Sequence, residues 1–177
     1  EVDHPATQKS KKQKLSSLLG GLPPHVTYVS IDFDQETLEE KLFENGYNKD
    51  LKTLFIWEGV TYFLTAEGID STLAFVSANS GPGSSIVFDY IFKAAISGDY
   101  DSAELRREQK ILEKLGEPYV FGIDEGRIKQ FLEERGFVNV TEVDHNYITK
   151  HYFGAANQNR RYPAYLPIAH ATVARTT

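Results

Sequence analysis

Short apolar runs alternate with helical stretches along almost the whole chain. Residues 1–5 read as the end of a strand, and 7–19 as a helix with Leu15, Leu18 and Leu19 at near-helical spacing, stopped by Gly20-Gly21. Pro23-Pro24 returns the backbone to the extended form, so 26–31 is the next strand, running out at Asp32. A short amphipathic helix at 37–43 is closed by Gly46, and 53–57 is nearly all apolar, the pattern of a strand covered on both faces in a parallel sheet. Thr65 caps a helix running to Ala78, and Gly81-Pro82-Gly83 turns the chain into a strand at 85–90. Residues 93–101 read as a loop, 102–115 as a charged helix, and 125–135 as a helix capped by Asp124 with Ile128, Phe131 and Leu132 buried. The last strands, 137–143 and 168–173, are separated by a polar, aromatic stretch too long for a tight turn, so the final run is placed antiparallel.

This alternation predicts an α/β sheet whose strand C-terminal ends share one side, where open α/β sheets bind ligands. Acids fall at that edge: Asp3, Asp32 and Glu58 at predicted strand ends, with Asp89 one residue short of a fourth. A carboxylate there accepts hydrogen bonds from vicinal ribose hydroxyls or an exocyclic adenine amine, which suits a nucleoside ligand without phosphate. The competing reading is helix capping, which stabilises by about 0.3–1 kcal/mol per acid with no ligand at all. A phosphate cradle has no place, because GxxxxGK[ST] is missing and Gly20-Gly21 follows a helix.

Composition narrows the chemistry. Of 177 residues, 41% are hydrophobic and 25% charged, ordinary for one globular domain. The net charge of -6 disfavours a nucleic-acid partner, and the lone basic cluster, Lys9, Lys11, Lys12 and Lys14, reads as a solvated helix face. No apolar run approaches the roughly 20 residues of a membrane span. Zero cysteines remove disulfides and thiolate chemistry and suit a cytoplasmic setting, while zero methionines mark the stretch as a piece of a longer polypeptide. Ser84 and Ser85 lie outside any GxSxG elbow and enter a strand, and the five histidines show neither HExxH nor a tight pair, so neither a hydrolytic triad nor a metal site is expected. Tyr62 and Phe63, just beyond Glu58-Gly59, are placed to pack on a ring or a methionyl chain at the ligand edge.

Several segments carry a resemblance. Glu1-Val-Asp-His-Pro-Ala-Thr-Gln8, Val29-Ser-Ile-Asp-Phe33, Phe55-Ile-Trp-Glu-Gly-Val-Thr-Tyr-Phe-Leu64 and Ser85-Ile-Val-Phe-Asp-Tyr90 resemble, in order and spacing, the leucine carboxyl methyltransferase superfamily, especially its bacterial and archaeal S-adenosylmethionine-dependent branch. Phe121-Gly-Ile, Phe131-Leu-Glu-Glu-Arg-Gly-Phe137 and Arg161-Tyr-Pro resemble its C-terminal half.

The resemblance implies a class I S-adenosylmethionine-dependent methyltransferase sheet, α/β and Rossmann-like, in the order 3-2-1-4-5-7-6 with the last strand antiparallel. The first strand, its glycine-rich turn and the N-terminal region are absent from these residues, so 1–177 is expected to be a partial methyltransferase domain. The implied cofactor is S-adenosyl-L-methionine. Its ribose falls to Asp3, with Glu1 nearby, its adenine to Asp32 and Phe33, and its methionyl part to Glu58 and Gly59. Tyr62, Tyr90, Arg160, Arg161 and Tyr162 are implied on the acceptor side, and Glu58 and Asp89 as the candidate catalytic carboxylates. The implied reaction is O-methylation of a carboxylate or hydroxyl on a small molecule or a protein C-terminus, by a monomer or homodimer. A non-catalytic nucleoside-binding or interaction module of the same fold is the alternative, followed by a nicotinamide-dependent oxidoreductase, which would need the missing GxGxxG turn.

Overall fold

The structure is a computed structural model that describes residues 1–32, 35–153 and 162–174. The chain divides into two compact units, Glu1–Lys49 and Asp50–Thr177.

In the first unit, β1 (Val2–Asp3) leads into α1 (Pro5–Leu19), and the chain returns as β2 (Val29–Ser30), parallel to β1 with Val2 opposite Val29 and Asp3 opposite Ser30. The helix starts where it does because Pro5 has no N–H to leave unsatisfied, and the His4 ring accepts from the Ala6 N–H. It ends at Gly20, whose φ of 72° is the left-handed conformation of a helix C-terminus. Gln8, only 1% exposed, ties the crossover together: its amide nitrogen donates to the Val29 carbonyl at 3.0 Å, and its amide oxygen accepts from the Ser30 hydroxyl. A buried amide is tolerated only when so satisfied. Helix α2 (Leu38–Glu44) follows, capped by Thr37, whose hydroxyl accepts from the Glu40 N–H and donates to the Glu40 carboxylate, a local form of the capping box.

In the second unit, β3 (Leu54–Trp57), α3 (Ala66–Ala78), β4 (Ser85–Asp89), α4 (Lys93–Ser97), α5 (Ala103–Leu115), α6 (Ile128–Glu133), β5 (Phe137–Val143), α7 (His145–Tyr152) and β6 (Ile168–Val173) build a sheet in the order β3-β4-β6-β5. Strands β3 and β4 are parallel, and β6 runs antiparallel to both of its neighbours, β4 and β5. Ile86, Phe88, Ala169 and Ala171 form a dry face, and α3 packs there, with Phe75 edge-on to Phe55 at 6.5 Å. Asn139, at φ 53°, marks a bulge where the β5–β6 register shifts. Beyond β4, the Tyr90 and Phe92 amides donate to the Pro167 and Tyr165 carbonyls, and Lys93 donates to Ile123.

The single sheet in the order 3-2-1-4-5-7-6 is not formed. The described residues build two sheets, one of two strands and one of four, because no hydrogen-bonded ladder joins β1 or β2 to β3. Strand β3 is likewise not covered on both faces. It lies at a sheet edge, and Leu54 and Ile56 remain 57% and 71% exposed while Phe55 and Trp57 face the packed side. Helix α6 begins at Ile128 rather than 125, because the chain first turns through Asp124 to Arg127 with Gly126 at φ 74°. Two helices appear where none was predicted, α4 and α7. No helix among the described residues is long and apolar enough to cross a membrane.

The turn into β4 leaves no room for a side chain. A Cβ on Gly81 would stand 2.6 Å from the Asp50 carbonyl oxygen and 2.7 Å from Leu51 backbone atoms, while the buried Ser84 hydroxyl donates to the Gly81 carbonyl and accepts from the Thr53 N–H. Gly81→Ala should therefore cost about 1–3 kcal/mol, read as a lower urea midpoint, since backbone and not a flexible tip must give way. An unchanged midpoint would show that this turn is slack.

Candidate functional site

At the C-terminal end of β1 stand Glu1 and Asp3, and both lie against one lysine. Lys11, one turn and a half into α1, places its ammonium 2.7 Å from Glu1 Oε1 and 3.5 Å from Asp3 Oδ2. The hydrogen bond to Glu1 raises the Lys11 pKa above its ordinary value. The pair is largely solvated, so its worth lies in orientation more than in stability. Asp3 also accepts from the His4 N–H at 2.8 Å through Oδ1. A carboxylate offers about four lone-pair sites, so these bonds leave acceptor capacity for a diol. Lys11 thus leaves the solvated helix face assigned to it from sequence: its side chain reaches back over the strand end.

Asp32 follows β2 and organises a tight turn. Its carbonyl accepts from the Gln35 and Glu36 N–H groups, its own N–H donates to Glu36 Oε2 at 3.0 Å, and its Oδ2 accepts from the Gln35 amide at 2.9 Å. The Glu36 carboxyl is held below its usual range, chiefly by that Asp32 N–H and then by Lys41, 2.6 Å away. Phe33, Arg160 and Arg161 lie outside the described residues.

In the second unit the ends of β3 and β4 are locked to each other. Asp89 accepts from the Gly59 N–H at 2.8 Å through Oδ1 and from the Tyr62 hydroxyl at 3.2 Å through Oδ2, while its carbonyl accepts from the buried Thr61 hydroxyl at 2.6 Å. Gly59 sits at φ 72°, the left-handed bend that lets its amide face Asp89. Glu58, Gly59, Tyr62 and Asp89 are therefore brought together as expected, with Glu58 exposed beside them. Tyr162 joins this group electrostatically: burial raises its pKa to about 12, with the Asp89 and Glu58 charges adding to the shift. Tyr90 is not with them. It is 1% exposed, and its hydroxyl donates to Glu142 on β5 at 2.6 Å, so it faces the sheet interior.

Three further residues complete the cluster. Tyr62 meets Tyr119 edge-to-face at 5.2 Å, and Phe63 lies 5.7 Å from Tyr119. Glu108 on α5 accepts from the Tyr165 hydroxyl at 2.8 Å and bonds the Tyr119 hydroxyl as well. The sequence held a usable signal for Glu108, a carboxylate on the half-buried side of a strongly amphipathic helix. Tyr119 and Tyr165 sit in irregular segments where periodicity is silent.

Burial, reinforced by neighbouring carboxylates, raises the pKa of Tyr62, Tyr90, Tyr119, Tyr162 and Tyr165, half of the ten tyrosines. Because the folded values lie above the unfolded value near 10, the stability these groups contribute is complete below pH 10 and is lost as pH rises toward the folded values. An ultraviolet titration should leave about half of the phenols protonated at pH 11 until the chain unfolds. Ionisation of all ten by pH 11 with native circular dichroism would contradict the bonded cluster.

Residues 1–77 match the family model described as leucine carboxyl methyltransferase. The Bacillus subtilis (strain 168) protein named "Putative S-adenosyl-L-methionine-dependent methyltransferase YktD" is 31% identical over 159 residues, covering 90% of this chain and 52% of that protein. Among solved structures, the S-adenosylmethionine-dependent methyltransferase SibL in its apo form superposes with a TM-score of 0.58 at 12% identity, over 99% of this chain and 43% of its own. Human N-acetylserotonin methyltransferase, solved in complex with SAM, gives 0.57 at 13% identity, over 98% and 40%. At such identities these two likenesses are of fold. The chain spans about half the length of the curated relative it matches. Its resemblance to the leucine carboxyl methyltransferase family is thereby established, directly over residues 1–77 and through the Bacillus relative over most of the chain.

Proposed function

We propose that this chain is part of one S-adenosylmethionine-dependent methyltransferase domain that methylates a hydroxyl or carboxylate oxygen of a small molecule. The observation that carries the reading is the placement of acids at the C-terminal ends of both parallel strand pairs: Asp3 and Asp32 in the first unit, Glu58 and Asp89 in the second. The family match and the methyltransferase fold of the neighbours support it. A cytoplasmic setting and a monomer or homodimer complete the reading.

The donor set fits the cofactor. Asp3, seconded by Glu1, accepts the ribose hydroxyls. Asp32 accepts the adenine amine, with Phe33 beside the base. Glu58 and the Gly59 backbone flank the methionyl part. When bound, S-adenosylmethionine supplies an electrophilic methyl on a sulfonium sulfur, and the protein's work is alignment and water exclusion. As the acceptor oxygen forms its bond to the methyl carbon, the carbon–sulfur bond breaks and its electron pair stays on sulfur. A carboxylate acceptor needs no base, whereas a hydroxyl must lose its proton. Exposed Glu58 is the group placed to take it. Asp89, with each carboxylate oxygen already bonded, serves by holding the 59–62 loop. Tyr62 and Tyr162 line the acceptor side, and Arg160 and Arg161 are reserved for an acceptor carboxylate.

Calorimetric titration of the chain with S-adenosylhomocysteine tests this. Binding should weaken about tenfold or more in Asp3→Asn, in line with about 1.5–3 kcal/mol for a charge-assisted hydrogen bond. Lys11→Gln should leave binding intact or strengthen it, because a competitor for Asp3 is removed. Equal binding by wild type and Asp3→Asn would sink the ribose assignment.

A further inference from the structure

A cavity of about 540 Å³ opens in the second unit between the start of α5, helix α7 and residues 162–165, within the size range of small-molecule sites. Tyr100, Tyr162 and Tyr165 contribute aromatic rings to its wall, and Tyr100 lies edge-to-face on Tyr165 at 5.8 Å. What these rings offer a ligand is set by what lies behind them. A phenol has one hydrogen to donate and two lone pairs to accept with. The Tyr165 hydrogen goes to Glu108, and Tyr119 is bonded to the same carboxylate, while the Tyr62 hydrogen goes to Asp89. The wall therefore presents π faces and hydroxyl lone pairs, backed by two carboxylates.

The charges at the cavity itself tilt the same way. Asp101 and Glu104 stand on the α5 side, Lys150 and His145 on α7, and Arg106 is spoken for by Asp101 at 2.7 Å. A carboxylate entering here meets acids and rings whose donors are consumed. A cation meets ring faces, which attract it through the aromatic quadrupole, and the field of Glu104, Glu108 and Asp89.

We propose that this cavity is the acceptor site and that it selects a positively charged acceptor, a hydroxyl-bearing amine of single-ring size, over a carboxylate. Its role as acceptor site rests on the methyltransferase reading above. The charge preference belongs to the second unit alone and is measured without the cofactor.

Tyramine and 4-hydroxyphenylacetate share one phenol ring and carry opposite charges. In an NMR titration of the chain, tyramine should shift the resonances of Tyr100, Tyr162 and Tyr165 with a Kd at least about tenfold lower than that of 4-hydroxyphenylacetate. Glu108→Gln keeps an acceptor for Tyr165 while removing the charge, and should bring the two probes within about threefold of each other. Salt gives a reading that needs no variant: raising ionic strength from about 0.05 to 0.5 M should weaken tyramine several-fold and spare the anion. Equal affinities, tighter binding of 4-hydroxyphenylacetate, or no saturable shift with either probe overturns the inference, and an anion preference would hand recognition to Arg160 and Arg161. S-adenosylhomocysteine, titrated separately, keeps the two ideas apart. If it binds while the charge preference is missing, the methyltransferase reading stands and this inference falls. If it fails to bind while tyramine is preferred, the reading falls and a cation site remains.

Discussion

The second unit hinges on one carboxylate. Asp89 closes β4 and reaches across to the loop after β3, taking the Gly59 amide on one oxygen and the Tyr62 hydroxyl on the other, while its own carbonyl takes Thr61. Without it, the positive-φ bend at Gly59 would have no reason to face inward, and the 3-10 turn Thr61–Phe63 would lose two of its anchors. From that anchor the contacts propagate: Tyr62 sets Tyr119, Tyr119 shares Glu108 with Tyr165, and Tyr165 forms a wall of the cavity. A hydrogen-bonded network of this kind fixes geometry well beyond what its net contribution to stability implies, because each member holds the next in one orientation.

Much of this architecture was legible wherever one local signal dominated. Thr65 was read as a cap with Gly68 as its partner, and the Thr65 hydroxyl does accept from the Gly68 N–H. The apolar run of β4, the Gly81-Pro82-Gly83 turn, the cap of α5 at Ser102 and the limits of β5 and β6 likewise follow from composition and punctuation. Reading failed where tertiary contact decides. Helix α7 hides in a polar, aromatic stretch, although Asp144 caps it and Tyr147 stacks on His151 one turn later at 4.0 Å. Helix α4 is five residues long, too short to show a period. The apolar pattern of β3 says nothing of how many strands lie beside it, and so two sheets replace the one expected.

The site divides along the same line. Strand-end acids are visible in sequence because strands are, and Glu58, Gly59, Tyr62 and Asp89 do assemble. Tyr90 shows the limit of that logic: one residue past the strand, it turns inward to Glu142 and leaves the edge to its neighbour. Lys11 shows the converse, a surface residue by pattern that becomes part of the strand-end cluster through its long stem. Lys11 thus acts as a stand-in donor for Glu1 and Asp3, keeping two nearby carboxylates from repelling each other until other donors arrive.

The central claim is that the acids at these strand ends hold the cofactor, and hydrogen–deuterium exchange with and without S-adenosylhomocysteine tests it most directly. The account predicts slower exchange at residues 3–4, 31–32 and 58–60, with the rest of both units unchanged. No protection at these strand ends, or protection confined to other surfaces, would contradict it.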